Sequence, residues 1–376
     1  MSEIEIIPLK RNRCGINRFL GVSYGIYRSD PNWVAPMLLD LKKVLRDDNP
    51  LFDHVEMVLW VARRDGMDIG RIAGILDRHH MQKHGDDAVF FGFFECVDDI
   101  EVSHKLFDTM FVWARQQGAR RVFGPMNPTM NDECGMLVKG FDTPPVFMMT
   151  YNPPYYLDLV EAAGFRKAKD LLAYHMDFQR GPFDRITRIA DKTRQLHPEL
   201  NFRPIQRANF RHDLTKVIEV YNAAWESNWG FVPISNAMID FMANRLKPLF
   251  VEELIWIAES PDGPVGCMMI LPDYNFAIKP LRGRLLTPRI FGFLPYLLHR
   301  KCMPRCRVVM LGVKSNYRNC GLEAVMLSEG FKTGLRIGFK DVECSWILEE
   351  NLIARRLLEI FGGRPYKSYR LYEREF

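Results

Sequence analysis

The sequence predicts a mixed α/β protein made of two similar units, and three observations carry that prediction. The chain has 376 residues, beyond the ~250–300 at which one hydrophobic core stops growing. Its 47% hydrophobic and 26% charged content is that of a globular chain folded in water. One order of strand-like and helix-like segments also occurs twice along it.

In the first half the strand IEIIPL leads to a helical region, NRFLGVSYGIY, and strand-like runs follow at MVLWVARR, DIGRIAGIL and AVFFGFFECV. Next comes the helix VSHKLFDTMFVWARQQG, with Val102, Leu106, Phe107, Met110 and Trp113 on one face and Gly118 as its stop. Strand RRVFGPM, a Pro-rich loop, helix YYLDLVEAAG and strand KDLLAYHMD close this half. The second half repeats the plan with LNFRPI, helix LTKVIEVYNAAWESN, strands ELIWIAES, PVGCMMIL and VVMLGV, helix GLEAVMLSEGFKTGLRIG, strand DVECSWIL, helix NLIARRLLEIFG and strand YKSYRLYER. The halves are expected at 1–178 and 201–376, joined by a charged, proline-punctuated linker at 179–200.

Composition excludes several classes. A net charge of +5 is small for this length, so nucleic acid is not an expected partner. The 8 cysteines are scattered without a C-x-x-C pair, which fits reduced thiols in a cytoplasm and gives neither a disulfide frame nor a metal set. No apolar signal core opens the chain, and no run reaches the ~18 apolar residues of a spanning helix. A cytoplasmic protein, peripheral on the inner membrane at most, is the expectation.

A binding signal lies at VVMLGVKSNYRNCGLEAVMLSEGF. A strand ending in Val313 passes through Lys314 to Gly321 and restarts as a helix at Leu322, so backbone N–H groups and a helix N-terminus converge as they do around phosphates. Arg318 adds a charge, and Gly321 allows close approach. A plain strand-to-helix turn has the same pattern. Together with what lies downstream, the loop resembles the coenzyme A pyrophosphate loop of the GCN5-related N-acetyltransferase (GNAT) superfamily: Arg318-Asn319-Cys320-Gly321 matches its Arg-x-x-Gly, and Asn351-Leu352-Ile353-Ala354 with Gly362 resembles its second signature. The resemblance implies, in each half, a mixed, mostly antiparallel central sheet flanked by helices, and coenzyme binding by Val313, Arg318, Asn319, Cys320, Gly321, Leu322, Asn351 and Ala354. Three residues depart from the pattern: Glu323 stands at a small-residue position, Leu358 where many relatives carry a general-acid tyrosine, and Gly363 where phenylalanine is usual. The first half is similar too, but Asp98, Asp99 and Glu101 put negative charge where a diphosphate would lie, so its coenzyme site is expected to be degenerate.

The strings FGPMNPTMNDECGMLVKGFDTPPVFMMTYNPPYY, YNAAWESNWGFVP and GRIAGILDRHH are similar to those of long bacterial tandem GNAT-like proteins that include the bacterial ceramide synthases. That resemblance spans nearly the whole chain and implies transfer of a fatty acyl group from a coenzyme A thioester to a sphingoid-base amine. A small-amine N-acetyltransferase and a non-catalytic acyl-coenzyme A or lipid-binding protein are the alternatives.

Candidate catalytic residues are Asn131, Asp132 and Glu133, in a loop after a strand, where a carboxylate can take the proton of an amine. The same residues suit a capped turn. Tyr366, with Tyr369, is the candidate general acid in place of Leu358. Trp225, Glu226, Asn228, Trp229 and Phe231 are candidates for an acceptor wall, or for packing at a helix end. His79 and His80, read as strand neighbours facing opposite ways, do not form a metal set. The insertion within 274–307 carries seven Arg or Lys residues and no acid over LRGRLLTPRIFGFLPYLLHRKCMPRCR, suited to an anionic membrane surface.

Overall fold

The computed structural model describes residues 2–178, 180–181, 183–284, 291 and 303–376. Most of the basic insertion, and with it the expected membrane contact of 281–307, lies outside the described residues. The chain divides into two compact units. Of the described residues, the first unit comprises those up to Leu171, a short stretch from Leu281 and the C-terminal Lys367–Phe376; the second comprises those from Leu172 to Pro280 and from Met303 to Tyr366.

In the first unit β1 (Glu5–Leu9), β2 (Val55–Arg64), β3 (Met67–Asp77) and β4 (Ala88–Cys96) are joined antiparallel in that order, and β5 (Arg121–Gly124) joins β4 in parallel. A parallel join needs a crossover, and α4 (Ile100–Gln116) supplies it. The helix forms because Asp99 caps its start, accepting from Glu101 N at 2.9 Å, and because Val102, Leu106, Phe107, Met110 and Trp113 make the expected buried stripe. That stripe packs on the sheet through Phe107 against Phe91 and Phe94. Helices α1 (Arg13–Ile26), α2 (Leu38–Leu45), α3 (Arg78–His84) and α5 (Tyr156–Ala162) complete the layers.

The second unit repeats the pattern. Strands β10 (Asn201–Pro204), β11 (Ile255–Ser260), β12 (Gly263–Pro272) and β13 (Arg305–Val313) are antiparallel, and β14 (Asp341–Leu348) is parallel to β13 after the crossover helix α10 (Leu322–Ile337). Around them lie α6 (Phe183–Leu196), α7 (Phe210–Ala224), α8 (Asn236–Leu246), the single turn α9 (Asn275–Ile278) and α11 (Leu352–Ile360). Each unit is thus the expected mixed, mostly antiparallel sheet with flanking helices.

Two features differ from the sequence expectation. The segment expected as a linker is helix α6: Ile186, Ala190 and Thr193, at the spacing of one helical face, are buried, and Phe183 meets Phe331 of α10. Its many charges occupy the exposed face and gave it the look of a junction. The units also do not end where the halves were expected to end. Strand β9 (Arg166–Asp177) passes into the second unit at Leu172, and β15 (Arg364–Glu375) passes into the first at Lys367, where Tyr372 pairs with Gly124 of β5. An alternating strand pattern specifies a buried face but not the neighbour to which the strand bonds.

Candidate active site

In the second unit the parallel join is short. Pairing runs from Arg305↔Asp341 to Val308↔Cys344, yet β13 continues to Val313 and β14 to Leu348. Against β12 the register passes from Ile270↔Val308 to Met269↔Met310, which leaves Val309 as an extra residue. Such a bulge bends and twists its strand. Beyond it the edge of 309–313 that faces β14 carries backbone groups with which an extended ligand can pair.

The loop expected to hold phosphates continues from this edge. Ser315–Tyr317 form a 3-10 turn, Asn319 and Gly321 take left-handed backbone conformations, and Gly321, at the N-cap of α10, brings no side chain to the helix's first N–H groups. The N–H groups of Ala324 and Val325 already donate to Gly321 O, so those ahead of them, at Gly321 and Leu322, are the ones offered to an anion. Gly321 is required: a Cβ there would lie 2.3 Å from Thr193 Oγ1 on α6. Arg318 is a brace, its Nη2 donating to Ala224 O at the end of α7 (2.8 Å) and its Nε to Val313 O (3.4 Å). Val313 and Leu322 are buried and Cys320 is half-buried. Burial pushes the carboxyl of Glu323, the one acid of this turn, above its usual range, against the bond from its own N–H and the charge of Arg318. Asn351 caps α11 by accepting from Ala354 N at 3.1 Å, and Leu358 is buried in the core.

The corresponding place in the first unit is filled. Asp99 lies at the N-terminus of α4 and pairs with Arg64 at 2.8 Å. Burial raises its pKa, but the bonds from Arg64 and the helix N–H groups outweigh that and hold the carboxyl below its usual range. Beside β4, Phe93 N donates to Asn127 Oδ1 at 2.6 Å, and the carbonyl of Met126 occupies the space a Cβ on Gly92 would need. This helix already carries its anion, and its strand edge is covered by its own chain.

Two faces of the second sheet have different contents. Gly330 of α10 packs on Met268 and Ile270, whereas Gly312 packs on Trp225 at the end of α7. Cross-strand partners share a face, so Gly312, Met310 and Arg307, opposite Cys267, Met269 and Leu271, lie on the α7 side. There Tyr221 stacks on Trp225 and also meets Phe231, forming part of the expected aromatic wall with Trp229 half-buried beside it in sequence. Asn228 turns the chain by donating its N–H to Trp225 O at 2.8 Å, and Glu226 is exposed. On the same face stands a polar ladder of which the sequence reading named only Tyr366. Arg307 Nε donates to Ser345 Oγ (2.9 Å), Ser345 Oγ donates to Glu343 Oε1 (2.6 Å), and the Tyr366 hydroxyl donates to Glu343 Oε2. Glu343 is fully buried. Below it Asp341 contacts His175 Nε2 at 3.3 Å, and the His175 ring lies 5.8 Å from that of Tyr366.

The acidic loop belongs to the first unit. Glu133 pairs with Asn127 through the short strands β6 (Met126–Asn127) and β7 (Glu133–Cys134), and Thr129 Oγ1 donates to Asp132 Oδ2 at 2.7 Å, closing a turn in which Asn131 N also bonds Thr129 Oγ1. His79 and His80 are not strand residues. They open α3, capped by Asp77, and His80 is buried. Among the described residues no group of three or more His, Cys, Asp or Glu side chains is placed to hold a metal, and no helix is long and apolar enough to cross a membrane.

No family model matches the chain. Two curated proteins resemble it over nearly their whole length: Protein YghO of Escherichia coli strain K12, 33% identical over 370 residues (97% of this chain, 94% of that protein), and the bacterial ceramide synthase of Caulobacter vibrioides, 33% identical over 381 residues (99% and 98%). The chain belongs to their family of tandem GNAT-like bacterial proteins. Solved structures agree on the fold: a tandem GNAT protein from the clavulanic acid biosynthesis pathway (TM-score 0.59, 13% identity, 99% of this chain and 98% of that one), and a GCN5-related N-acetyltransferase from Sphaerobacter thermophilus (TM-score 0.53, 14% identity, 98% and 95%). Within this tandem GNAT chain, then, among the described residues the second copy has the strand edge left unpaired past Val308 and a helix start with no side-chain N-cap, and the first has neither.

Proposed function

We propose that this tandem GNAT protein is an N-acyltransferase that takes a long acyl chain from a coenzyme A thioester, bound in the second unit, to the amine of an amphiphilic acceptor such as a sphingoid base. The observation that carries the donor assignment is the contrast between the two helix starts, uncapped at Gly321 and closed by Asp99. The diphosphate is assigned to the N–H groups of Gly321 and Leu322 at the helix start, with Arg318 bracing the loop, and the pantetheine arm to the edge of β13 past Val308. The acceptor assignment draws support from the 33% identity to a protein named bacterial ceramide synthase and from the aromatic wall at Trp225 and Phe231. The basic, apolar run of the insertion supports collection of the acceptor from an anionic membrane surface on the cytoplasmic side.

The test is release of free coenzyme A by the purified chain given acetyl-, octanoyl- or palmitoyl-coenzyme A, with a long-chain amino alcohol or a polyamine as acceptor. Efficiency is expected to climb by up to about tenfold for every two methylenes until the acyl site is full, since each buried methylene contributes ~0.8 kcal/mol. Efficient acetyl transfer to the polyamine, with no gain from longer chains, would replace the lipid acceptor with a small amine.

A further inference from the structure

We infer that Tyr366 and Glu343 form the proton relay of the transfer reaction, with Tyr366 touching the attacking amine and Glu343 acting behind it as a positioning and proton-holding residue. The inference rests on the N-acyltransfer reading and goes beyond it by placing the proton chemistry in the second unit. Four observations point there. The ladder reaches the point where β13 and β14 part: Arg307↔Glu343 is the pair before the last one, Val308↔Cys344, and Ser345 lies just past it. It lies on the α7 face with the aromatic wall, opposite the face that α10 covers. Glu343 is fully buried, yet it accepts from Ser345 Oγ at 2.6 Å and from the Tyr366 hydroxyl, and it lies 3.9 Å from Arg307 Nε. Tyr366 itself is half-buried, not enclosed as Glu343 is.

A buried carboxylate is costly unless it is bonded and paired, and here the partners fix its orientation. Ser345 and Arg307 hold Oε1, which leaves Oε2 to Tyr366. In the reaction the nitrogen lone pair forms the C–N bond at the thioester carbonyl, and the carbonyl π pair moves onto oxygen. An N–H proton passes to Tyr366 Oη as the hydroxyl proton passes to Glu343 Oε2. When the carbonyl reforms the C–S bond breaks, and the proton returns from Glu343 through Tyr366 to the thiolate sulfur. The products are an amide and the free thiol, and the relay is restored. Leu358, buried in the core, does not compete for this role.

The test uses the full chain with palmitoyl-coenzyme A and a long-chain 2-amino-1,3-diol. Tyr366→Phe and Glu343→Gln are each expected to lower kcat by ~10²–10³-fold while leaving palmitoyl-coenzyme A affinity within a few-fold of wild type. Glu343→Asp, which keeps a carboxylate, is also expected to restore part of the rate that Glu343→Gln loses; a merely structural role would show no such rescue. Should Glu343→Gln fail to fold, Tyr366→Phe, which keeps the ring and loses the bond to Glu343, decides the matter alone. Folded variants with wild-type kcat would overturn the relay while leaving the transfer reading intact. If the wild-type chain binds palmitoyl-coenzyme A but transfers its acyl group to no amine, the transfer reading fails and the relay falls with it.

Discussion

Replacing Gly321 by Ala should damage the donor loop by an amount that can be worked from its surroundings. The residue sits at φ +85, so an alanine there carries the left-handed penalty of ~1–2 kcal/mol. Its Cβ would also lie 2.3 Å from Thr193 Oγ1. Thr193 is buried and β-branched, so it cannot rotate away freely, and overpacking of this kind costs ~1–3 kcal/mol. The expected loss is therefore ~2–5 kcal/mol in the second unit. Thr193→Ala in the same chain should return the contact part and leave the backbone part, a coupling of ~1–3 kcal/mol in a double-mutant cycle. Urea unfolding followed by tryptophan fluorescence and circular dichroism measures the stability, and calorimetry with palmitoyl-coenzyme A measures the binding, which should weaken at least tenfold in Gly321→Ala (~1.4 kcal/mol) and partly recover in the double variant. A Gly321→Ala chain within ~0.5 kcal/mol of wild type, the ordinary range for a neutral surface change, with unaltered binding, would refute the reasoning.

Three further outcomes follow from the same geometry. Glu323→Gln should tighten palmitoyl-coenzyme A binding several-fold, about 1 kcal/mol, the scale of one charge pair a few ångströms apart in water. Because burial raises the Glu323 carboxyl in the folded chain, the stability it contributes is full below the unfolded carboxylate value of about 4.3 and is lost as pH rises through the folded one, so the variant should lack that slope in pH-dependent unfolding. Asp99→Ala should cost the first unit ~0.5–2 kcal/mol of cap energy in urea unfolding and leave donor affinity unchanged; Asp99 is depressed, so its contribution is present above about pH 3.9 and lost as pH falls through the folded value. Glu133→Gln should keep kcat within a few-fold of wild type, as measured by coenzyme A release, whereas a loss of ~10²-fold or more would move the amine's base to the acidic loop.

The strand, loop and helix around Arg318 and Gly321 were legible because each step has a local chemical signature: β-branched residues, then polar ones, then a helix repeat with glycine at its start. The stripe on α4 was legible for the same reason. The ladder was not. Arg305 with Arg307, and Asp341 with Glu343, each lie two residues apart in runs that read as ordinary strands, and their complementarity emerges only once β13 and β14 are known to pair in parallel at Arg305↔Asp341. Knowledge of that register would have turned two charge pairs into one constellation. Helix α6 was misread because its three inward residues, Ile186, Ala190 and Thr193, include only one large apolar side chain. The strands β9 and β15 carried the right pattern, but which sheet edge completes each is a tertiary choice with no local signal.

Hydrogen–deuterium exchange of the full chain, with and without palmitoyl-coenzyme A, tests most directly the claim that only the second unit holds the donor. Protection is expected over residues 309–325, the free edge of β13, the phosphate loop and the start of α10, with residues 97–102 at the start of α4 unchanged. Protection at 97–102 with none at 314–325 would place the donor in the first unit and contradict the account.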